Sequence, residues 1–525
     1  MLRQKSRFGP QNPLEPDLFH ILIFIFWILA QKERQIKLLR LLALRQLGSY
    51  IIAAFTFKWL SPPSLRNFFD WRCWPSEKRR HFLLNLLWGV AIAVALHLIS
   101  YTGLGQQILD ETYDFLVKTD FRRAVIQGKD DTPVSDSIRL VLFDKDTYEK
   151  SPGQGFWTPR EVLGKSVIRA VELGARVVLV DFRLDKAVPL YYADGAFVEE
   201  NQLYLSLLRQ AADLAEKNGA IIILPRPEKQ PGAAKGYTRQ YYELLDEKKA
   251  VIRQGNPGVF YSRTDRKVRH FHFYEMVKDQ GRNRPILSMA ILAAIYQWHG
   301  IEKANGIIAE LERQADRFGE LPDGISIPSD GTVSDIRLYH QETDRECLPA
   351  RFKFRIAPRE LIQEDYGGGF DPQIDIPPSV LLSEYFDTQS IQGKTVLIGS
   401  AYKPMGDIHV TPVGDMPGIF LIANGMNLFL EGNQIYEHHG IRLLTVGILI
   451  VLLALVFVHL SPASAGLVLT TIILLLMTPV SIWLFSEYGM FLDLWIPVLG
   501  IGIRGNIANA EKFIKNVSQT KKEDD

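Results

Sequence analysis

Four aspartates and one threonine stand where oxygen ligands would gather. Asp144 and Asp146 follow one short apolar run, Asp181 follows a second, and Asp407 and Thr411 follow a third. Apolar runs of this length are typical of buried strands, and ligands of open α/β sheets bind beyond the carboxyl ends of the strands. The pattern predicts that carboxylate and hydroxyl oxygens together hold a cation or a polar ligand.

The same residue types have a purely structural use, because Asp and Thr also cap helix N-termini and fix turns. No nucleophile–base pair accompanies them, so we predict no catalytic residue and no enzyme activity. His270 and His272 lie two apart and point to one face of a predicted strand. No third metal ligand stands at an indicative spacing, so the sequence predicts no metal site and indicates no particular cofactor.

The elements that must position these residues form a β-α-β unit. Residues 138–143 and 176–180 are near-continuous apolar runs, and between them apolar residues recur at helical spacing from Val162 to Val171. Gly174 ends that helix. The unit predicts two parallel strands joined by a right-handed crossover.

The alternation of strands and helices continues to residue 430. Further strands are predicted at 220–224, 259–261, 268–274, 351–356 and 395–398, and further helices at 201–217, 285–298, 302–317 and 418–430. Residues 226–257 are rich in Pro, Gly, Lys and Gln, and we interpret them as an exposed insertion. The fold class predicted is an α/β domain with a mostly parallel sheet.

This domain is bracketed by apolar segments that predict membrane-spanning helices. A span needs about 20 apolar residues. The predicted spans are Phe82–Gly103, Leu443–Leu460, Ala465–Phe485 and Met490–Ile503, the last extended through Gly505–Ala510 with Arg504 snorkelling toward the interface. The chain has 525 residues with a net charge of +1, which argues against a nucleic-acid partner.

Positive charge sets the expected orientation. Basic residues precede the first span and follow the last: Arg66, Arg72, Lys78, Arg79, Arg80, Arg504, Lys512, Lys515, Lys521 and Lys522. Both termini are therefore predicted to be cytoplasmic and the central domain extracytoplasmic. The predicted domains are a cytoplasmic helical region (1–80), one transmembrane helix (81–104), the α/β domain (105–440), three transmembrane helices (441–510) and a polar tail (511–525).

The N-terminal region allows several placements. Residues 18–29 form an apolar run that is too short for a straight span, and 37–60 is apolar with basic residues spaced through it. A basic amphipathic helix on the anionic inner surface fits this pattern. A helix docked on a partner and additional membrane crossings are the alternatives.

Several stretches together resemble the type-two CHASE sensor domain family, an extracytoplasmic module of bacterial signalling proteins. These stretches are 139–146, 155–160, 174–182 and 393–400, followed by Gly406-Asp407, Thr411-Pro412, Met416-Pro417-Gly418 and the helix with Ala423 and Asn424. The resemblance covers about residues 82–510. Family members have one span before the sensor and usually three after it, as is predicted here.

The resemblance implies a sensory domain anchored in a bacterial inner membrane, and by analogy a homo-oligomer. Members usually continue into an enzyme, whereas only a short polar tail follows here, so we expect a separate cytoplasmic protein to supply the output. The first hypothesis is a membrane-anchored sensor or scaffold subunit that binds a ligand or an envelope partner. The alternative is a structural subunit of an envelope complex with no small-molecule ligand.

Overall fold

The computed structural model describes most of the chain from residue 74 onward. The described residues are 74–100, 102–127, 134–151, 157–187, 196–227, 236–262, 265–279, 282–321, 325–331, 335–338, 351–358, 361–362, 375–405, 407–432, 434–435, 439–460, 464–465, 468–469, 471, 475, 477–492, 500–507, 510 and 514. The predicted N-terminal cytoplasmic region, apart from 74–80, lies outside them.

A parallel sheet of six strands organises the central domain. The strands of the domain are β1 (Ile138–Phe143), β2 (Val177–Val180), β3 (Ile221–Pro225), β4 (Ile252–Gly255), β5 (Val259–Tyr261), β6 (Val268–Phe271), β7 (Tyr274–Asp279), β8 (Arg282–Leu287), β9 (Ile325–Ile327), β10 (Ile336–Leu338), β11 (Asp375–Ile376), β12 (Thr395–Ser400), β13 (Ile408–Thr411) and β14 (Gly414–Pro417). The large sheet has the order β11-β1-β12-β2-β3-β4, and every neighbouring pair is parallel. The predicted mostly parallel α/β sheet is confirmed.

Helices cover both faces of this sheet. The helices are α1 (Ser76–Ile99), α2 (Gly103–Gln127), α3 (Lys145–Glu149), α4 (Arg160–Glu172), α5 (Ala196–Asn218), α6 (Tyr237–Glu247), α7 (Met289–Phe318), α8 (Pro378–Leu381), α9 (Gly418–Leu430), α10 (His439–His459) and α11 (Thr478–Tyr488). One hydrophobic core joins the sheet to α2, α7 and α9, and a second joins it to α4, α5 and α6.

Alternation along each strand divides its side chains between the two cores. On β1, Ile138 and Leu140 belong to the core with α7, whereas Val141 and Phe143 belong to the core with α4. Successive side chains of a strand point to opposite faces, so a strand covered on both faces must be apolar throughout. This requirement explains the near-continuous apolar runs in the sequence.

Three predictions for the second half of the domain need correction. The predicted helix 285–298 begins only at Met289, because Arg282–Leu287 forms β8, which pairs with β7, and Ser288 caps the helix. The predicted strand 268–274 is two strands, β6 and β7. The predicted strand 351–356 is extended chain whose only pairing within the described residues is a bridge from Arg351 to His270.

The interpretation of 226–257 as an exposed insertion is wrong for the part that the structure describes. That segment contains α6 and β4, and β4 is the edge strand of the large sheet. Tyr237, Tyr241, Leu244 and Leu245 recur at helical spacing and are buried. The Pro- and Gly-containing residues around them concealed this short amphipathic helix from a reading based on composition.

The predicted membrane spans are matched in part. Within the described residues, α1 is the one helix long and apolar enough to cross a bilayer. Helix α10 coincides with the second predicted span and α11 with the end of the third. Much of the third and fourth predicted spans lies outside the described residues. Residues 500–507 of the fourth are described and are helical.

Candidate functional site

A cleft of about 1000 Å³ opens at the carboxyl ends of the parallel strands. Its lining includes residues from four strand ends: Asp181 after β2, Arg226 after β3, Asn256 after β4 and Ser400 at the end of β12. This edge of an open parallel sheet is where the sequence predicted a ligand site. Strand β7 and the residues Asp407, His409 and Gly418 complete the walls.

Asp181 and Asp407 are the two predicted site residues that the structure brings together in this cleft. Asp181 is partly exposed, and its backbone N–H donates to the Ile398 carbonyl at 2.8 Å. Burial raises the pKa of the Asp181 carboxyl to about 8, and the nearby charge of Asp407 adds to the rise. At neutral pH, Asp181 therefore keeps its proton.

Gly418 makes room for the Asp407 carboxylate. The Gly418 N–H donates to the Asp407 carbonyl at 3.0 Å, which holds the loop against the start of α9. A Cβ atom at residue 418 would overlap Asp407 Oδ2. The Met416-Pro417-Gly418 motif of the sequence thus has a direct physical role, since any larger residue would displace the carboxylate.

A hydrogen-bonded chain runs from Asp407 toward the cleft mouth. His409 Nε2 lies 3.0 Å from Asp407 Oδ1, and His409 Nδ1 lies 2.7 Å from the Tyr261 hydroxyl. With the proton on Nε2, the imidazole donates to Asp407 and accepts from Tyr261. Burial, followed by the charge of Asp407, raises the pKa of Tyr261, so this hydroxyl is not activated as a nucleophile.

Tyr148 contributes a buried hydroxyl to the cleft lining. Its ring is stacked on Tyr402 with 5.3 Å between centroids, and the residue is fully buried. Burial raises the Tyr148 pKa to about 12, and the neighbouring side chains of Ser400 and Thr158 limit that rise. Within the described residues, the hydroxyl makes no direct hydrogen bond of normal geometry. A buried hydroxyl left in this state suits a ligand atom at the cleft.

The other three predicted residues have local partners elsewhere. Asp144 caps α3, because its Oδ1 accepts from the Thr147 backbone N–H at 2.9 Å. Asp146 is exposed and pairs with Lys150 at 2.8 Å, and both aspartates line a neighbouring cavity of about 620 Å³. The Thr411 hydroxyl donates to the Gly414 carbonyl within the β13–β14 turn.

Sequence reasoning missed several residues of the cleft. His409 lies two residues after Asp407, a spacing that places both on one side of an extended segment, so a local signal was present. Tyr148, Arg226 and Tyr261 come from distant positions and carry no such signal. His270, weighed earlier as a metal ligand, is buried, and burial followed by the charges of Arg351 and Arg269 lowers its pKa.

A second group of aspartates lies on α2, and its members all pair with buried cations. Asp114 accepts two hydrogen bonds from Arg269, at 2.8 and 2.9 Å, and one from Lys267 at 2.8 Å. The Arg269 side chain is 1% exposed and that of Asp114 is 4% exposed. Arg269 also binds Asp265, whose pKa this hydrogen bond lowers. The arrangement is a desolvated, bidentate ion pair.

Two further pairs extend this interface along α2. Asp110 pairs with Arg351 at 2.8 Å, and Asp120 pairs with Arg355 at 2.6 Å. Between these arginines, the buried Lys353 donates to the Ser486 carbonyl at the end of α11. These contacts, with α11 packed beside α2, join the core of the α/β domain to the helix that follows α1.

Two observations bear on the chemistry of the cleft. Within the described residues, neither Asp181 nor Asp407 pairs with a Lys or Arg, and His409 is the ionisable partner of Asp407. The described residues also contain no group of three side chains of the metal-ligating types His, Cys, Asp and Glu in reach of one ion. The described lining of the cleft offers oxygen atoms to a polar ligand, and neither of its two tyrosine hydroxyls, Tyr148 and Tyr261, has a lowered pKa.

Comparison with known proteins gives one match. The family model described as the CHASE2 domain matches residues 90–460. No curated protein and no solved structure matches the chain.

Proposed function

The chain belongs to the CHASE2 domain family of extracytoplasmic sensors, and from that premise we propose that its cleft is the sensing site. A small polar ligand binds at Asp181 and Asp407, and the resulting change passes through the helices to a separate cytoplasmic protein. The observation that carries this proposal is the acid pair at the carboxyl edge of the sheet, which has no Lys or Arg partner within the described residues.

Helix α2 is the element best placed to relay the change. It follows α1, the helix long enough to span a bilayer, and its aspartates are fixed to Arg269, Arg351 and Arg355. A ligand can act only by favouring one of two arrangements that differ in their affinity for it. We propose that the two arrangements differ in the position of α2 relative to α11.

We further propose four membrane spans in a bacterial inner membrane, with both termini cytoplasmic and the chain forming a homo-oligomer. The contact between Arg504 and Asn85, at 2.7 Å, supports a common side for the start of α1 and the end of the last helix. The contact of Lys353 with the end of α11 supports placing that end on the sensor side. Membrane lipid and a cytoplasmic or envelope protein are the proposed partners.

The test is cross-linking in native cells, followed by purification of the full-length protein and mass spectrometry. We expect a kinase, a cyclase or a protease to be captured, and capture to change in the double variant Asp181→Asn/Asp407→Asn. The Asp146→Asn variant is the control, because Asp146 lies outside the cleft. Envelope proteins in fixed ratio, unaffected by the double variant, would instead establish the rival function of a structural subunit.

A further inference from the structure

The charged groups of the cleft are of both signs. Asp181 and Asp407 provide the acidic end, and Arg226 follows the strand next to that of Asp181. The other charged or titratable side chains facing the cleft are Arg183, Glu275, Lys278, His409, Tyr148 and Tyr261. A ligand that satisfies this lining must present positive and negative charge at different points.

The acidic end favours an organic cation over a metal ion. A hard divalent cation takes six or more oxygen ligands, or keeps several waters. Within the described part of the chain, the two carboxylates are not joined by a third ligating side chain that would make a metal cluster. An ammonium group needs fewer acceptors, and the Tyr148 hydroxyl, fully buried and without a direct hydrogen bond of normal geometry, offers a further one.

The basic end favours a carboxylate. Arg226 is partly exposed in the cleft and forms no ion pair with a carboxylate among the described residues. A guanidinium presents parallel N–H donors that match a carboxylate in a two-point contact. The volume of about 1000 Å³ is ample for a molecule that reaches from Asp181 to Arg226.

We infer that the cleft binds a small zwitterion, an amino acid or a similar molecule, with its ammonium group at Asp181 and Asp407 and its carboxylate at Arg226. This inference rests on the proposed sensing function and names the class of ligand that the site takes.

The experiment is isothermal titration of the full-length protein in lipid nanodiscs. The probes are the standard L-amino acids, the amines that their decarboxylation gives, simple carboxylic acids and Ca²⁺. We expect at least one amino acid to bind, and its decarboxylated amine to bind roughly tenfold more weakly or worse, because the contact with Arg226 is lost. Carboxylic acids and Ca²⁺ should give no heat of binding.

Variants then locate the two ends of the ligand. Asp407→Asn and Arg226→Gln should each weaken amino-acid binding by roughly tenfold or more. For the decarboxylated amine, Arg226→Gln should have no effect, whereas Asp407→Asn should still weaken binding. Asp146→Asn serves as the matched control and should leave every affinity unchanged, since Asp146 pairs with Lys150 outside the cleft.

Failure of this inference is distinguishable from failure of the proposed function. Binding of Ca²⁺ or of a plain amine, lost in Asp407→Asn but with no amino acid bound, would overturn the zwitterion and leave the sensing cleft in place. No binding by any probe would also overturn the zwitterion. If, in addition, the cleft variants and the wild type captured the same cross-linked partners, the sensing function would fail as well.

Discussion

Two groups of acidic side chains in this molecule are held in opposite ways. Along α2, each of Asp110, Asp114 and Asp120 meets an arginine at 2.6 to 2.8 Å. In the cleft, Asp181 lies near enough to Asp407 for the charge of Asp407 to act on it. His409 is the ionisable partner of Asp407 among the described residues. In the first group, an arginine compensates the charge of each carboxylate. The second group needs a proton or a ligand for the same compensation.

The difference has a physical cost that indicates function. A buried charge is tolerated when an opposite charge and good hydrogen bonds compensate it, as the forked contact of Arg269 with Asp114 does. Asp181 lacks such compensation, and its pKa rises to about 8 instead. Strong perturbation of a titratable group in a cleft is more common at functional sites than elsewhere. We therefore propose a structural role for the α2 network and ligand binding for the cleft.

The largest expected effect comes from breaking an ion pair of the α2 network. Arg269→Leu would leave Asp114 buried without its main partner, and we expect a loss of about 3–5 kcal/mol of stability. The measurement is chemical denaturation of the protein in nanodiscs. Arg239→Leu is the matched control, because Arg239 pairs with Glu243 on the surface at 2.8 Å, and it should cost less than about 1 kcal/mol. Equal losses in the two variants would contradict the distinction.

Removing a carboxyl from the cleft should change stability in the opposite direction. Asp181→Asn removes a carboxyl that burial disfavours in its charged form, so we expect the ligand-free protein to gain stability near pH 8. The gain is at most about 1.4 kcal/mol for each unit of the pKa rise, and solvent screening of this partly exposed group reduces it. The wild-type protein binds a proton at Asp181 up to about pH 8, whereas the unfolded chain releases it near its ordinary pKa of about 4. Wild-type stability from this group therefore falls as pH rises through that window.

Melting temperatures of both proteins across the window check the prediction for Asp181. The two curves should converge toward pH 4 and separate toward pH 8. Asp146→Asn is the control and should follow the wild type, because Asp146 is exposed. A constant offset between Asp181→Asn and the wild type at every pH would show that Asp181 has an ordinary pKa.

The sequence predicted the sheet well because burial on both faces leaves a local mark. The runs at β1, β2, β3 and β12 are almost continuously apolar, and the glycine after α4 marks the end of a helix. Strand β4 left no such mark, since its sequence, Ile-Arg-Gln-Gly, lies at the sheet edge. Edge strands and short hairpins depend on tertiary partners that no local pattern encodes.

The candidate site was predictable only where strand ends bear its residues. Asp181 was identified because it follows a buried strand. Asp407 was identified because it follows the last predicted strand, in a segment that carries the family resemblance. Arg226 and Tyr148 enter the cleft only through the order of strands in the sheet, with β12 inserted between β1 and β2. That order brings together residues far apart in the chain, which a reading of local patterns cannot do.

The smallest expected effect concerns Lys353, a buried cation in the interface with α2. Its side chain is 3% exposed, and burial, reinforced by the charge of Arg355, lowers its pKa to about 8, against the opposing charges of Asp120 and Glu487. The unfolded chain keeps the proton up to its ordinary pKa of about 10.4. Wild-type stability from this group should therefore rise between pH 8 and that value.

Lys353→Met should abolish this rise, because the thioether fills the space without a titrating group. We expect the wild type to gain on the order of 1 kcal/mol relative to the variant across the window. Lys249→Met, at a position paired on the surface with Asp246, is the control and should keep the wild-type slope. Parallel melting curves for Lys353→Met and the wild type would mean that Lys353 is compensated like the arginines beside it. The α2 interface would then contain no group whose charge burial opposes, and the contrast with the cleft would be sharper still.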